Sequence, residues 1–166
     1  MKKNIVLIIM SIISTVILVL TIGNFLLNNK MKKISENIEI NLDKCKIDKS
    51  SDSHGVFLSD GDYFVKITCS DINYEELSNN WKELPLTKSL IDATTLKKCN
   101  NKTCQDIYEE YSIPNISNGY YYFIDRHNDS KNKYDDSELN NRSSYNYTLA
   151  LLDKDTNIIY YYELDT

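Results

Sequence analysis

Two histidines are the side chains best suited to chemistry near neutral pH, because an imidazole can carry a proton or bind a transition metal. The chain contains only His54 and His127, and each lies close in sequence to carboxylates. If the strands that carry them are neighbours, both histidines converge with acidic residues. A zinc-like ion would then be held by His54, Asp62 and His127. A small hydrolase would instead use four of these groups for acid–base catalysis, namely His54, Asp60, Asp125 and His127.

The same residues also have a purely structural explanation. Asp60-Gly61 is typical of a type I′ hairpin turn, and Asp125-Arg126 is typical of an ion pair at a strand end. The spacing matches no established metal motif, so no cofactor is predicted. The chain also has no Gly-x-Ser-x-Gly motif and no glycine-rich phosphate loop. These observations favour a binding protein over an enzyme.

Four cysteines, Cys45, Cys69, Cys99 and Cys104, are candidates for disulfides. Four cysteines allow three pairings. In one of them Cys99 and Cys104 close a small loop, which leaves Cys45 with Cys69. Disulfides are expected if the domain is exported, and free thiols if it faces the cytoplasm.

A long apolar segment precedes all of these residues. Ile5 to Leu27 is 23 residues without a charge, which as a helix spans about 34 Å, enough for a bilayer core of roughly 30 Å. Residues 1–33 are therefore predicted to be a transmembrane anchor with basic flanks, in contact with the membrane through residues 5–27. The N-in, C-out orientation is favoured, because two lysines before an apolar segment are typical of an export signal.

A cleaved signal peptide is the alternative interpretation of this segment. Thr21-Ile22-Gly23 fits a cleavage site only loosely, and apolar residues continue through Leu27. Cleavage would release a secreted protein. The uncleaved anchor is the preferred prediction.

Charge is divided unevenly along the chain. All 24 Asp and Glu, but only 14 of the 19 Lys and Arg, lie from Ser35 onward, so this part has a net charge of −10. Binding to nucleic acid needs a basic surface, and nucleic acid is therefore excluded as a partner. An acidic domain favours a cationic partner.

The remaining elements predict an α+β fold. Residues 34–53 are polar and are predicted to be a stalk, and residues 54–166 to form one extracytoplasmic domain. Paired strands are expected at His54–Ser59 and Asp62–Cys69, a third strand from Gly119, and a hairpin with its turn at Asp153–Asn157. Two or three short helices, the first capped by Asp71, are expected between the second and third strands. The prediction is a mostly antiparallel sheet of about five strands, with a polar loop over 128–144.

Tyrosines dominate two of the predicted strands, in YYYFIDRHN (120–128) and in NIIYYYELD (157–165). Aromatic residues favour strands because they cover their cross-strand neighbours. The preferred interpretation is a sheet that is packed on both faces. The alternative is an exposed aromatic platform for a sugar or a peptide.

Three stretches carry a resemblance, namely HGVFLSDGDYF, IPNISNGYYYFIDRH and NYTLALLDKDTNIIYYYELDT. Over roughly residues 54–166 the chain resembles a family of small, membrane-associated, uncharacterised proteins of Gram-positive bacteria. The resemblance implies a location and a fold. It assigns no catalytic residue.

Together these features predict a single-pass protein whose extracytoplasmic domain is a binding or interaction module of the cell envelope, with a protein or a glycan as its partner. A small metal-dependent or His/Asp hydrolase is the alternative function. A cytoplasm-facing regulator of another membrane protein is the third.

Overall fold

The computed structural model describes residues 2–54, 60–95, 106–127, 132–141 and 144–166. The chain divides into two compact units, Met1–Glu39 and Ile40–Thr166. The first unit contains a single helix, α1 (Lys2–Ile38). In its described residues, the second unit contains the sheet and three short α-helices.

Helix α1 exposes apolar side chains along most of its length, although Ile34 and Ile38 near its C-terminus are buried. Its large hydrophobic residues between Ile9 and Leu27 are 50–64% exposed. Within the described residues, one helical stretch, Ile12–Ile38, is long and apolar enough to cross a membrane, with a mean hydropathy of 1.7. The apolar N-terminal helix expected from the sequence is therefore present, and its length and composition suit a membrane span or a signal anchor.

The second unit is built around one antiparallel sheet in the order β1-β2-β6-β5-β4-β3. The α+β class predicted from the sequence is confirmed, with six strands in the described residues instead of about five. The strands are β1 (Cys45–Asp52), β2 (Gly61–Cys69), β3 (Lys82–Glu83), β4 (Gly119–Asp125), β5 (Asn146–Asp153) and β6 (Ile158–Asp165). The helices are α2 (Tyr74–Asn80), α3 (Lys88–Thr95) and α4 (Ile107–Tyr111), followed by a 3-10 helix at Leu139–Asn141.

The β5–β6 hairpin forms where the sequence predicts it. In the turn, Asp153 accepts hydrogen bonds from the Asp155 amide (3.0 Å) and the Thr156 hydroxyl (2.8 Å). Asn157 has a φ of 54°, a left-handed conformation that asparagine tolerates better than most residues. Local sequence alone therefore specifies this connection.

Aromatic and aliphatic side chains bury both faces of the sheet. Phe64, Tyr162, Leu149 and Phe123 lie side by side across β2, β6, β5 and β4. This face forms one core with residues of α3 and α4. On the opposite face the Trp81 ring lies 5.9 Å from the Tyr122 ring.

The tyrosines of the two tyrosine-rich strands are buried on both faces of the sheet. The six tyrosines at 120–122 and 160–162 are at most 8% exposed. The packed-sheet interpretation is therefore correct, and these rings do not form an exposed platform.

The predicted stalk at residues 34–53 is replaced by ordered structure. Helix α1 continues to Ile38, and Cys45–Asp52 is strand β1, paired with β2. The compact second unit begins at Ile40, before the predicted boundary at residue 54. Strand β1 was not recognisable from its polar sequence, because an edge strand with exposed side chains needs no apolar alternation. Residues 55–59 of the other predicted strand lie outside the described residues.

The predicted Asp60-Gly61 turn is also wrong. A type I′ turn needs positive φ at both central residues, but Gly61 does not have a positive φ and is the first residue of β2. A Cβ at Gly61 would lie 2.8 Å from both Cα and N of His54. Glycine is therefore needed here for close backbone approach, since any larger residue would collide with His54.

Two smaller predictions also change. Asn73, not Asp71, caps helix α2, because its side chain accepts a hydrogen bond from the Glu76 amide. Asp106 caps α4, which begins at Ile107, by accepting from the Tyr108 amide at 2.7 Å. The described part of the predicted 128–144 loop, 132–141, contains the 3-10 helix.

Candidate functional site

His54 lies between two carboxylates where β1 has ended and β2 begins. Its Nδ1 is 2.7 Å from Asp52 Oδ1, and its Nε2 is 3.3 Å from Asp165 Oδ2 at the end of β6. The side chain of His54 is 25% exposed. We call the group formed by Asp52, His54, Arg126, Glu163 and Asp165 the His54 junction.

Arg126 is the centre of the junction. Its Nη2 is 2.8 Å from Asp165 Oδ1 and its Nη1 is 3.0 Å from Glu163 Oε1. The guanidinium also donates to Asn146 Oδ1 at 2.7 Å and to Thr148 Oγ1 at 2.8 Å. Arg126 therefore joins the ends of β4, β5 and β6, which suits a planar guanidinium with several donors. With its donors already engaged, it holds structure together more readily than it could bind an anion.

The hydrogen bond with Asp52 raises the pKa of His54 above its ordinary value of 6.5, and the weaker contact with Asp165 acts in the same direction. Partial burial opposes this shift by disfavouring the charged ring. Folding therefore favours the imidazolium form, and the junction gains an opposite charge between its two carboxylates.

We expect the folded protein to lose stability as pH rises through the folded-state pKa of His54. The contribution is fully present below about pH 6.5, the unfolded value, since a raised pKa means that the folded state holds the proton more tightly. Urea unfolding at pH 5.5 and pH 8 should show this difference in the wild type, and a smaller difference in His54→Gln. Asp52→Asn is the matched variant and should reduce the pH dependence in the same way. Equal pH dependence in all three proteins would contradict the assignment.

The five side chains predicted to converge, all of which are described, do not form one cluster. Asp62 and Asp125 lie in one cross-strand row with Leu164 and Tyr147, facing the α3–α4 core. His54 contacts Asp165, which belongs to the opposite face because side chains alternate along β6.

The remaining candidates are also separated. Asp60 is exposed. Asp125 is 3% exposed and accepts the backbone N–H of the exposed His127 at 3.0 Å. Among the described residues, no group of three or more His, Cys, Asp or Glu side chains is arranged to hold a metal ion. The proposed ligand set His54, Asp62 and His127 is therefore not assembled.

Asp62 is the acceptor of a buried hydroxyl network. It is 4% exposed, and its Oδ2 accepts from Tyr111 at 2.7 Å and lies 3.4 Å from the Tyr162 hydroxyl. Its Oδ1 accepts from Ser53 Oγ. The Tyr111 ring stacks on Phe64 with centroids 4.2 Å apart. The carboxylate that the sequence offered as a metal ligand thus fixes the position of aromatic residues in the core.

Burial also raises the pKa values of Tyr111, Tyr147 and Tyr162 above the ordinary value of 10, with desolvation as the main cause in each case. Tyr147 is 1% exposed, and its hydroxyl has no hydrogen-bond partner among the described residues. A phenol without an acceptor contributes little to stability and resists ionisation.

Alkaline stability should improve when Tyr147 becomes phenylalanine. These tyrosines stay protonated in the folded state, so stability is lost as pH rises above about 10, where the unfolded chain ionises. Tyr147→Phe removes one such group without breaking a hydrogen bond. We expect stability equal to or above that of the wild type at pH 7 and a clear gain above about pH 10. Unfolding curves at both pH values test this, and a loss at pH 7 would show that the hydroxyl has a partner.

Cys45 and Cys69 form a disulfide across β1 and β2, where the two residues lie directly opposite each other. Their separation of 24 residues corresponds to about 3 kcal/mol of stabilisation if the bond acts by restricting the unfolded chain. This is the bond expected if Cys99 pairs with Cys104. Cys99 and Cys104 lie outside the described residues.

An apolar cleft of about 380 Å³ opens on the α3–α4 side of the sheet. This volume lies within the range of small binding sites. Ile91 on its lip is 44% exposed, although the other large apolar side chains of the second unit are mostly buried. We call this feature the Leu84 cleft, and its lining residues are Leu84, Pro85, Leu86, Ile91, Tyr108, Ile113, Asn115, Ile116 and Leu151.

The sequence predicted neither the Leu84 cleft nor the contact of His54 with Asp165. Leu84 and Leu86 flank Pro85, and Ile113 precedes Pro114, so these apolar residues lie in irregular segments without helix or strand periodicity. Apolar residues next to a proline were therefore the feature of the sequence that could have indicated the cleft. Asp165 could not be found, because it meets His54 only through the β2–β6 register.

Comparison of the chain with protein-family models, with curated proteins and with solved structures gave no match.

Proposed function

We propose that the protein is anchored by α1 as a single-pass membrane protein, N-in and C-out, and that its second unit is an extracytoplasmic binding module of the cell envelope. Apolar side chains that are 50–64% exposed along α1 are unfavourable in water and favourable in lipid. The helix also satisfies its backbone hydrogen bonds internally, as a membrane span requires.

The proposal that the second unit lies outside the cytoplasm rests on the Cys45–Cys69 disulfide. It lies in the first strand after α1. Disulfides persist in oxidising compartments and are rare in the cytoplasm. An extracytoplasmic second unit accounts for both features at once.

The Leu84 cleft is the proposed binding surface. Its lining is almost entirely aliphatic, so it suits two or three aliphatic side chains of a polypeptide better than a glycan. Exposed acidic residues, Glu83 and Glu109, adjoin lining residues in the chain, and Lys88 is already paired with Asp92 at 2.6 Å. With a net charge of −10 from Ser35 onward, the module favours a basic, amphipathic segment of an envelope protein.

Sidedness is tested by labelling the cysteines of intact cells with a membrane-impermeant maleimide, with and without prior reduction. We expect labelling only after reduction. Cys45→Ser/Cys69→Ser should lower the signal that depends on reduction. Labelling that appears only after lysis, whether or not reductant is present, would place the second unit in the cytoplasm and overturn the proposal.

Binding is tested with two synthetic peptides of equal length, one of lysine and leucine and one of glutamate and leucine. Nuclear magnetic resonance (NMR) spectra should show shifts at Leu84, Ile91 and Ile116 with the lysine peptide only. Ile91→Lys should abolish these shifts, because it puts a like charge on the lip. Ser50→Lys on exposed β1 is the matched control and should leave them unchanged. Equal shifts with both peptides would refute the preference for a basic partner.

A further inference from the structure

Strand β1 is held in the sheet by few apolar contacts. All residues from Asp48 to Asp52 are exposed, and Ile47 is only half-buried. In the described residues β1 pairs only with β2. By contrast, Phe64, Val65 and Ile67 of β2 are fully buried. Packing in the core therefore holds β2 in place, but it does not hold β1.

The other contacts of β1 are weak or local. A register shift between Ile47 and Lys49 interrupts its ladder with β2. The Lys44–Asp71 ion pair beside it is more than 60% exposed on both sides, and exposed pairs contribute little. The chain just before β1 is fixed as well, because Ile40 and Leu42 are 4% and 2% exposed. Within β1 itself, the covalent bond between Cys45 and Cys69 is therefore the strongest single attachment. Cys45 is only half-buried, so a reductant can reach this end of the bond.

We propose that the Cys45–Cys69 disulfide is a redox-controlled clip that decides whether β1 stays in the sheet or is released as a solvated segment. Reduction consumes one dithiol. One thiolate of the dithiol attacks a sulfur of the protein disulfide to give a mixed disulfide. The second thiol of the dithiol then displaces the remaining protein sulfur as a thiolate. Cys45 and Cys69 each end as a thiol, and the dithiol ends as a disulfide after losing two electrons and two protons.

The consequence of opening the clip is local, because Ile40 and Leu42 just before β1 are buried and hold the chain there. With the clip closed, residues 39–44 connect α1 to β1. With the clip open, residues 45–52 leave the sheet and become a solvated segment between this fixed point and β2. The polar sequence KIDKSSDS suits both states, because it tolerates an edge strand and a solvated linker equally well.

Hydrogen exchange of the full-length protein in detergent micelles tests the clip, with dithiothreitol as the reductant. We expect amides of residues 46–52 to exchange at least about tenfold faster after reduction, while those of β5 and β6 are unchanged. Cys45→Ser/Cys69→Ser should behave as the reduced protein with or without dithiothreitol. Cys99→Ser/Cys104→Ser should retain the wild-type response, which assigns the effect to the Cys45–Cys69 bond.

Two outcomes would overturn the proposal. Unchanged protection of β1 after reduction would show that its hydrogen bonds suffice to hold it. Equal loss of protection in β1, β5 and β6 would show that the bond supports the whole fold and is not a local clip. Exchange in micelles does not depend on the side of the membrane, so failure of the clip is distinguishable from failure of the proposed location.

Discussion

Replacing Gly119 by alanine should cost at least about 3 kcal/mol and leave little folded protein at 37 °C. A Cβ at this position would lie 1.9 Å from the carbonyl oxygen of Leu152 and 3.2 Å from Ile116 Cγ2. The Leu152 carbonyl cannot move aside easily, since Leu152 belongs to β5, which pairs with β4. Gly119 is held as well, because its carbonyl accepts the Leu84 amide at 3.0 Å. The strands would have to separate to admit one methyl group.

Urea unfolding followed by circular dichroism measures this effect. Gly23→Ala is the matched control, because no atom lies within 4 Å of a Cβ built there, and it should leave stability unchanged. A Gly119→Ala protein as stable as Gly23→Ala would mean that β4 and β5 are not in contact at this point.

Replacing Asp62 by alanine should lower the free energy of unfolding by about 3 to 5 kcal/mol. The change removes the acceptor of the Tyr111 hydroxyl and of Ser53, and it leaves the nearby Tyr162 hydroxyl in an apolar core. Each buried hydroxyl left without a partner costs about 1–3 kcal/mol.

Asp62→Asn separates this hydrogen-bonding role from a simple loss of volume. Its amide oxygen keeps one acceptor for the Tyr111 hydroxyl, so we expect a smaller loss than in Asp62→Ala. The double variant Asp62→Ala/Tyr111→Phe should recover part of the stability, because it removes one orphaned phenol. If Asp62→Ala unfolds at the wild-type urea concentration, the network does not support the core.

Local sequence predicted the parts of the fold that local chemistry decides. The β5–β6 hairpin follows from Asp153 and Asn157, which build their own turn. Gly119 marked the start of β4, as predicted. Apolar and aromatic alternation likewise located β2 and β6.

The features that sequence did not predict depend on partners distant in the chain. Strand β1 is polar, and only its pairing with β2 and the Cys45–Cys69 bond reveal it as a strand. Asp60-Gly61 has the composition of a turn, yet Gly61 is required by its approach to His54. The histidines were expected to meet the nearest carboxylates of two strands. His54 does meet Asp52, but its second partner, Asp165, is 111 residues away.

The sheet order has a consequence for how the chain is made. Strand β6 lies between β2 and β5, so the two halves of the sheet stay unconnected until residues 158–165 have been synthesised. No earlier strand can substitute, because β2 and β5 do not pair with each other. The second unit therefore cannot complete its sheet before β6 has been synthesised, since its central pairings need contacts of high sequence separation. For the proposed export of the second unit this order is favourable, because a chain without a completed sheet is the form that passes through a narrow protein-conducting channel.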